Sequence, residues 1–334
     1  MTVPVFPAAS LADAHGRRFE YLRLSLTDVC NFRCTYCLPE GYRKIAGMPS
    51  DLSVAEIRRL VAGFARLGLW KVRLTGGEPS LRRELLEIAE AVAAVPGIRR
   101  LAMTTNGYRL AERAGDYASA GIAALNVSVD SLDPARFRTI TGHDRLDEVL
   151  DGVGAARAAG IGTVKLNSVL MRGINDDELG GFMAFVNRHD LTLRFIEVMR
   201  TNDNAAFFDR HHMPGSEIAS RLETLGWRRL QRAAGAGPAI EYEHPAGRGR
   251  IGIIAPYAKD FCTTCNRLRV SSRGKLHLCL FGDHGIDLRD LLQSDDQIDA
   301  LIARITALTA TKAPAHRLHS GNSGATPHLA SIGG

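Results

Sequence analysis

Apolar, β-branched runs recur along the chain, with longer segments of helical character between them. The runs at 21–26 (Tyr-Leu-Arg-Leu-Ser-Leu), 71–75 (Lys-Val-Arg-Leu-Thr), 100–105, 124–129 (Ala-Leu-Asn-Val-Ser-Val), 163–169 and 192–199 predict strands. The segments 53–67, 81–94, 109–120, 146–159 and 176–189 predict helices, with a short one near 134–140. Ser53 precedes Val54-Ala55-Glu56, an N-cap with Glu at the third helical position. Asn175-Asp176-Asp177 predicts a second helix start. Strand–helix units in series predict parallel strands joined by right-handed crossovers. They either close partly, as an incomplete TIM-like barrel, or lie open as a doubly wound sheet.

Both arrangements place ligands at the carboxyl ends of the strands. The unusual residues stand there. The first strand leads into a loop with Cys30, and the second ends in Thr75-Gly76-Gly77-Glu78-Pro79. The next two end in Thr104-Thr105-Asn106-Gly107 and Ser128-Val129-Asp130-Ser131. The last two carry Lys165 and Asn167, then Arg194, Glu197 and Met199. Ordinary loop polarity is the bland alternative. After residue 200 the alternation stops. Residues 233–250 are rich in Gly, Ala and Pro, short strands are expected at 239–243 and 250–255, and helices at 286–293 and 296–310. The organisation expected is an N-terminal extension over 1–20, a partial barrel over 21–200 and an irregular α+β segment over 201–334 packed across its open side.

The length of 334 residues allows one large domain or two ordinary ones. Hydrophobic residues are 45% and charged residues 23%, which excludes wholesale disorder. No apolar run reaches the ~18 residues of a membrane span. The prolines of the first ten residues and the lack of a basic start exclude a secretory signal, so a cytoplasmic protein is expected. The formal charge of +6 favours anionic partners, but no dense basic block with interleaved aromatics speaks for nucleic acid. Gly247-Arg248-Gly249-Arg250-Ile251-Gly252 matches the dinucleotide glycine pattern, yet a β-rich run follows it instead of a helix, so it is set aside.

The six cysteines form two triplets: Cys30, Cys34 and Cys37, then Cys262, Cys265 and Cys279. In a reducing compartment such tight spacing points to metal or redox chemistry. A structural zinc wants four ligands, and an iron–sulfur cluster usually takes four cysteines. Three thiolates on a four-iron cube leave one iron open to a cofactor or substrate. At the second triplet His277 keeps a Cys3His zinc site open as the alternative. Arg23, Arg73, Lys165, Arg194, Arg267 and Arg269 lie in or beside strands or clusters. Turned inward, each needs a carboxylate or an anionic ligand. Several arginines converging would suit a triphosphate.

Cys30-Asn31-Phe32-Arg33-Cys34-Thr35-Tyr36-Cys37 resembles the signature loop of the radical S-adenosylmethionine (SAM) enzymes, and Gly76-Gly77-Glu78-Pro79 resembles their Gly-Gly-Glu segment. With Thr104-Thr105-Asn106-Gly107, Cys262-x2-Cys265-Asn266-Arg267-Leu268-Arg269, Cys279 and a terminal Gly333-Gly334, the whole from about Arg23 onward is similar to the GTP 3′,8-cyclase (MoaA) family of molybdenum cofactor biosynthesis.

That resemblance implies two 4Fe–4S clusters, one on each triplet, and SAM on the first. It implies a 5′-deoxyadenosyl radical that abstracts the ribose 3′ hydrogen of GTP, followed by cyclisation onto guanine C8. Tyr36, Gly77, Ser128 and Met199 would surround SAM. Arg23, Arg73, Thr104, Lys165, Arg267, Leu268 and Arg269 would surround GTP, with Arg194 a weaker addition. Gly333 and Gly334 would reach the active site. A flavodoxin or ferredoxin would donate electrons, and a cyclic pyranopterin monophosphate synthase would take the product. Oligomeric state stays open, with a homodimer as a candidate. Two rivals remain at this point. One is a radical SAM enzyme acting on a peptide or tetrapyrrole. The other is a zinc-stabilised nucleic-acid-binding protein.

Overall fold

The computed structural model describes residues 10–44, 46–231, 237–282, 284–325 and 328–333. The first unit runs β1 (Tyr21–Ser25), α1 (Val54–Arg66), β2 (Lys71–Thr75), α2 (Leu85–Ala93), β3 (Arg100–Thr105) and α3 (Leu110–Ser119). It continues with β4 (Ile122–Ser128), α4 (Pro134–Thr141), α5 (Leu146–Ala158), β5 (Thr163–Leu170), α6 (Leu179–His189) and β6 (Thr192–Glu197). Then follow α7 (Ala205–His211), α8 (Gly215–Thr224), β7 (Arg228–Arg229), β8 (Ile240–Glu243), β9 (Arg250–Ile254), β10 (Arg267–Val270), β11 (Lys275–His277), β12 (Ile286–Asp287) and α9 (Ile298–Ala310).

One sheet holds all the strands, in the order β12-β11-β10-β1-β2-β3-β4-β5-β6-β9-β8-β7. β1 to β6 are parallel and neighbours in sequence order, as serial strand–helix units require. β10 joins the outer edge of β1 and β9 the outer edge of β6, both parallel. Chain from beyond residue 200 therefore extends both ends of the sheet, whose two edge strands do not pair with each other among the described residues. This is the incomplete (βα)6 barrel expected.

Side chains alternate across each strand. Leu22, Leu24, Val72 and Leu74 are fully buried against the helices. Tyr21, Arg23, Lys71 and Arg73 point the other way and line a cavity on the concave side. Burial of the leucine and valine face stabilises the sheet by roughly 1.5–3 kcal/mol per side chain. The alternate positions are thereby free for chemistry.

Local signals act as expected at Ser53, whose Oγ accepts from Glu56 N at 3.2 Å while Glu56 Oε2 accepts from Ser53 N at 2.7 Å. Asn175 differs from expectation. It is buried and bonds Asp130 O and Val169 O through Nδ2, and α6 starts only at Leu179. The tertiary bonds outcompete capping. The segment expected as a helix over 286–293 is a two-residue strand and a 3-10 turn at Arg289–Leu291, because Leu276 recruits Ile286 into the sheet. Helices α7 and α8 and the strand β10 were not expected, although Ile218 and Leu222 of α8 stand four apart on its buried face and Leu268 and Val270 alternate with arginines in β10.

The glycine-rich segment at 247–252 enters β9 instead of a helix. A Cβ on Gly249 would stand 2.5 Å from the Val186 carbonyl carbon, so that glycine serves packing against α6.

Candidate active site

The first cysteine triplet lies on the loop leaving β1. Cys37 N and Leu38 N both donate to Cys34 O, which folds the loop into a turn. Arg33 N and Thr35 N donate to Thr141 O and Ile140 O at the end of α4, and buried Phe32 stacks on His143 at 5.0 Å. The loop is thus anchored from both sides. Burial raises the thiols of Cys30 and Cys37 to about 11 and about 12, with charge on Cys30 adding to the shift at Cys37. Cys34 is raised too, first by burial, then by Asp130 and its two partner thiols. All six cysteines are free of disulfides. Cys34 and Cys37 each feel the charge of neighbouring thiols, and burial opposes that charge, so a group that binds them as thiolates would have to supply the counter-charge.

Gly76 and Gly77 explain themselves by close approach. A Cβ would stand 2.5 Å from Thr27 O at Gly76 and 2.3 Å from Val29 O at Gly77. Gly77 N and Glu78 N donate to Thr27 O and Val29 O, so this segment clamps the entry of the cysteine loop. Both carboxylate oxygens of buried Glu78 accept within the protein, from Thr105 Oγ1, Asn106 N and Ser80 N. These bonds lock the loop after β3. Tyr36 donates its hydroxyl to Asp130 Oδ2 at 2.9 Å, and Asp130 Oδ1 accepts from Val169 N. Burial raises the Asp130 carboxyl to about 6. Tyr36 O and Met199 O both accept from Asn204 Nδ2. Ser128 ends β4 beside Asn167. Tyr36, Gly77, Ser128 and Met199 thus all stand at strand ends or on the loops that follow them.

The second group lines the cavity, which has a volume of about 1480 Å³. Sheet register sets Arg269, Arg23 and Arg73 side by side on β10, β1 and β2. Like charges directly opposite one another destabilise a sheet. Burial and then the neighbouring arginines hold Arg269 down to about 9, and Arg23 is lowered from the same causes. Arg73 donates Nε to Tyr21 Oη at 2.6 Å and Nη1 to Met103 O and Thr104 Oγ1. Burial alone would raise the Tyr21 phenol; Arg73, Arg23 and Lys71 outweigh it and bring it to about 7. Lys165 and Arg194 stand further along the sheet, at the same cavity. Leu268 does not: its side chain is fully buried in the main core, which leaves only its backbone on the arginine side.

Cys262, Cys265 and Cys279 line the same cavity. Cys265 N donates to Cys262 O, and Arg17, paired with buried Asp13, donates to Cys262 O, Ala313 O and Pro314 O. Buried Lys312 donates to Leu278 O. Burial alone would raise the Cys265 thiol; Arg267 and Lys312 outweigh it and lower it. Cations around thiolates fit an anionic iron–sulfur cluster. Among the described residues no three His, Cys, Asp or Glu side chains converge closely enough to hold a single ion, at His277 or at either cysteine triplet. Burial, then Arg269, lowers His277 to about 4.

The chain end enters this site. Gly333 O accepts from Arg23 Nε and Nη2 at 3.0 and 2.8 Å and from Arg269 Nη1 at 2.8 Å. The Cys37 thiol faces the backbone N–H groups of Leu329 and Ala330. Gly334 lies outside the described residues.

Two family models match in tandem: the Radical SAM superfamily over residues 24–186 and Molybdenum Cofactor Synthesis C over 191–318. A GTP 3′,8-cyclase of Aeromonas hydrophila is 58% identical over 328 residues, covering 97% of this chain and 96% of that one. One from Stenotrophomonas maltophilia is 57% identical, covering 98% and 100%. One from Vibrio cholerae is 55% identical, covering 98% of each. The chain belongs to the GTP 3′,8-cyclase family of radical SAM proteins.

Among solved structures, Streptococcus suis SuiB bound to S-adenosylmethionine superposes with a TM-score of 0.59 at 12% identity, over 86% of this chain and 69% of that one. That likeness concerns the fold. In this member of the cyclase family Tyr21, Lys71, Asn126 and Asn167 also line the cavity. Tyr21 and Lys71 stand two residues before Arg23 and Arg73, so strand alternation carried the signal for them. Arg17, Glu241 and Lys312 reach the site only through tertiary contacts and left no local signal. No helix among the described residues is long and apolar enough to cross a membrane.

Proposed function

We propose that the protein converts GTP to 3′,8-cyclo-7,8-dihydro-GTP, the radical SAM step that opens molybdenum cofactor biosynthesis. One observation carries this reading: a single cavity is lined both by Cys262, Cys265 and Cys279 and by Arg23, Arg73, Lys165, Arg267 and Arg269. Cys30, Cys34 and Cys37 would hold an iron–sulfur cluster, which with SAM beside it would supply radical chemistry at the ribose 3′ carbon. A second cluster on Cys262, Cys265 and Cys279 would offer an open iron to the guanine.

The chain's own residues do the rest. The arginine row gives the triphosphate charge-assisted hydrogen bonds of roughly 1.5–3 kcal/mol each. Tyr21 holds the Arg73 guanidinium in the cavity. Tyr36, Gly77, Ser128 and Met199 border SAM, with Asp130 orienting Tyr36. The Gly333 carbonyl, seated on Arg23 and Arg269, positions the terminal residues over the reacting sugar and keeps water out. An external low-potential donor of the flavodoxin or ferredoxin type supplies electrons in the cytoplasm, and a cyclic pyranopterin monophosphate synthase consumes the product.

The test is anaerobic turnover with GTP deuterated at the ribose 3′ position. Deuterium is expected in the 5′-deoxyadenosine, whose formation should depend on GTP. Equal formation without GTP, or no deuterium transfer, overturns the reading.

A further inference from the structure

The cation-rich cavity contains a carboxylate of its own. Glu241 and Asp260 are the acids among its described lining residues. Glu241 Oε1 stands 2.8 Å from Lys165 Nζ and 3.7 Å from Arg194 Nη2. Register explains how it reaches both. On β9, Gly252 lies between Arg194 of β6 and Glu241 of β8. A Cβ on Gly252 would meet Arg194 Cγ at 3.1 Å and Glu241 Cγ at 3.7 Å, so the glycine leaves the gap across which the pair meets. The side chains of Lys165, Arg194 and Glu241 are 19%, 15% and 26% exposed. At that depth an unneutralised cation is costly. Burial, then Arg194, lowers the Lys165 ammonium, while Glu241 opposes the shift. Arg194 Nε is buried and has no hydrogen-bond partner among the described residues, so the cation keeps a donor in reserve.

We infer that Glu241 is an internal competitor for the phosphates of the substrate. It neutralises Lys165 and Arg194 while the cavity is empty, yields them to an arriving polyphosphate, and takes them back on release. The cyclised product keeps the triphosphate, so the phosphate contacts hold product as firmly as substrate, and a competitor loosens both and speeds release. Glu241 therefore trades affinity for exchange. The inference rests on the reading that this cavity receives GTP.

The experiment is calorimetric titration of inorganic tripolyphosphate, GTP and guanosine into the wild-type protein, Glu241→Gln and Glu241→Asp. Glu241→Gln keeps the shape and removes the charge. The expected result is a Kd about five- to tenfold lower for tripolyphosphate and GTP, or up to ~1.4 kcal/mol, with guanosine unchanged. Glu241→Asp, with a shorter reach to Lys165, is expected to shift both in the same direction by less, and carries the test alone should Glu241→Gln fail to fold.

Unchanged or weaker polyphosphate binding in both variants overturns the inference. If tripolyphosphate tightens as expected while GTP binds neither form, the competitor stands and the GTP reading falls. If GTP binds the wild type and neither variant alters its affinity, the GTP reading stands and the competitor falls.

Discussion

Arg23 grips the carbonyl oxygen of Gly333 with two nitrogens, Nε at 3.0 Å and Nη2 at 2.8 Å, across 310 positions of sequence. Arg23 lies in the first strand of the barrel and Gly333 next to the last residue of the chain. The contact brings the chain end onto the arginine row. It also places a neutral acceptor against guanidinium groups that otherwise repel one another.

Gly333 has φ 65°, and a Cβ there would stand 1.9 Å from Thr75 Oγ1. Gly333→Ala should therefore unseat the tail, at a local cost of about 1–3 kcal/mol. The fold and the melting temperature should hold while product formation falls by at least about tenfold, the equivalent of ~1.4 kcal/mol in the barrier. Deleting Gly333 and Gly334 should stop product formation with iron content unchanged. Full turnover by either variant would return the tail to an ordinary chain end.

Arg267→Ala and Lys165→Ala should each weaken GTP binding by roughly ten- to a hundredfold, the range of one charged hydrogen bond. SAM binding should stay within about threefold, an energy near 0.7 kcal/mol. Titration calorimetry of the two ligands separates the effects. A larger loss for SAM would show the phosphate assignment to be wrong.

Tyr21 should ionise near pH 7, seen as phenolate absorbance in the ultraviolet that Tyr21→Phe abolishes. Its folded value lies below the unfolded value of 10.0, so its charge stabilises the fold increasingly as pH rises from about 7 toward 10. Below about 7 that contribution is lost. The gap in melting temperature between wild type and Tyr21→Phe should therefore widen from pH 7 to 9; a constant gap would assign Tyr21 to packing alone.

Glu56 caps α1 and accepts from Arg289 Nε at 2.8 Å, tying the first helix to the C-terminal segment. Burial opposes its ionisation, but Arg289 and Ser53 bring it to about 2, below the ordinary 4.5. This stabilisation is present above pH 4.5 and lost as pH falls through 2. Wild type should lose more melting temperature than Glu56→Gln on acidification across that window. Parallel curves would show the pair to be inert.

Anaerobically purified protein should carry about eight irons, as two four-iron clusters require. A Cys262→Ala, Cys265→Ala, Cys279→Ala variant should retain about four. Four irons and one zinc in the wild type would remove the second cluster, and with it the strongest chemical reason to expect guanine there.

The sequence alone determined the serial strand–helix order, both cysteine triplets and the basic residues of the strands. These signals are local: strand runs, capping at Ser53, and cysteines grouped in two short stretches of chain. The Asn175 staple, the β10 strand and the Ile286 pairing escaped it, because bonds to distant backbone decide them. Only the tertiary structure decided that Leu268 turns away while Arg267 and Arg269 face the cavity. It also decided that Glu78 bonds the loop after β3 and that Glu241 reaches Lys165 and Arg194. Sheet register and the closeness of chain segments fix such contacts, and neither is written in any single stretch of residues.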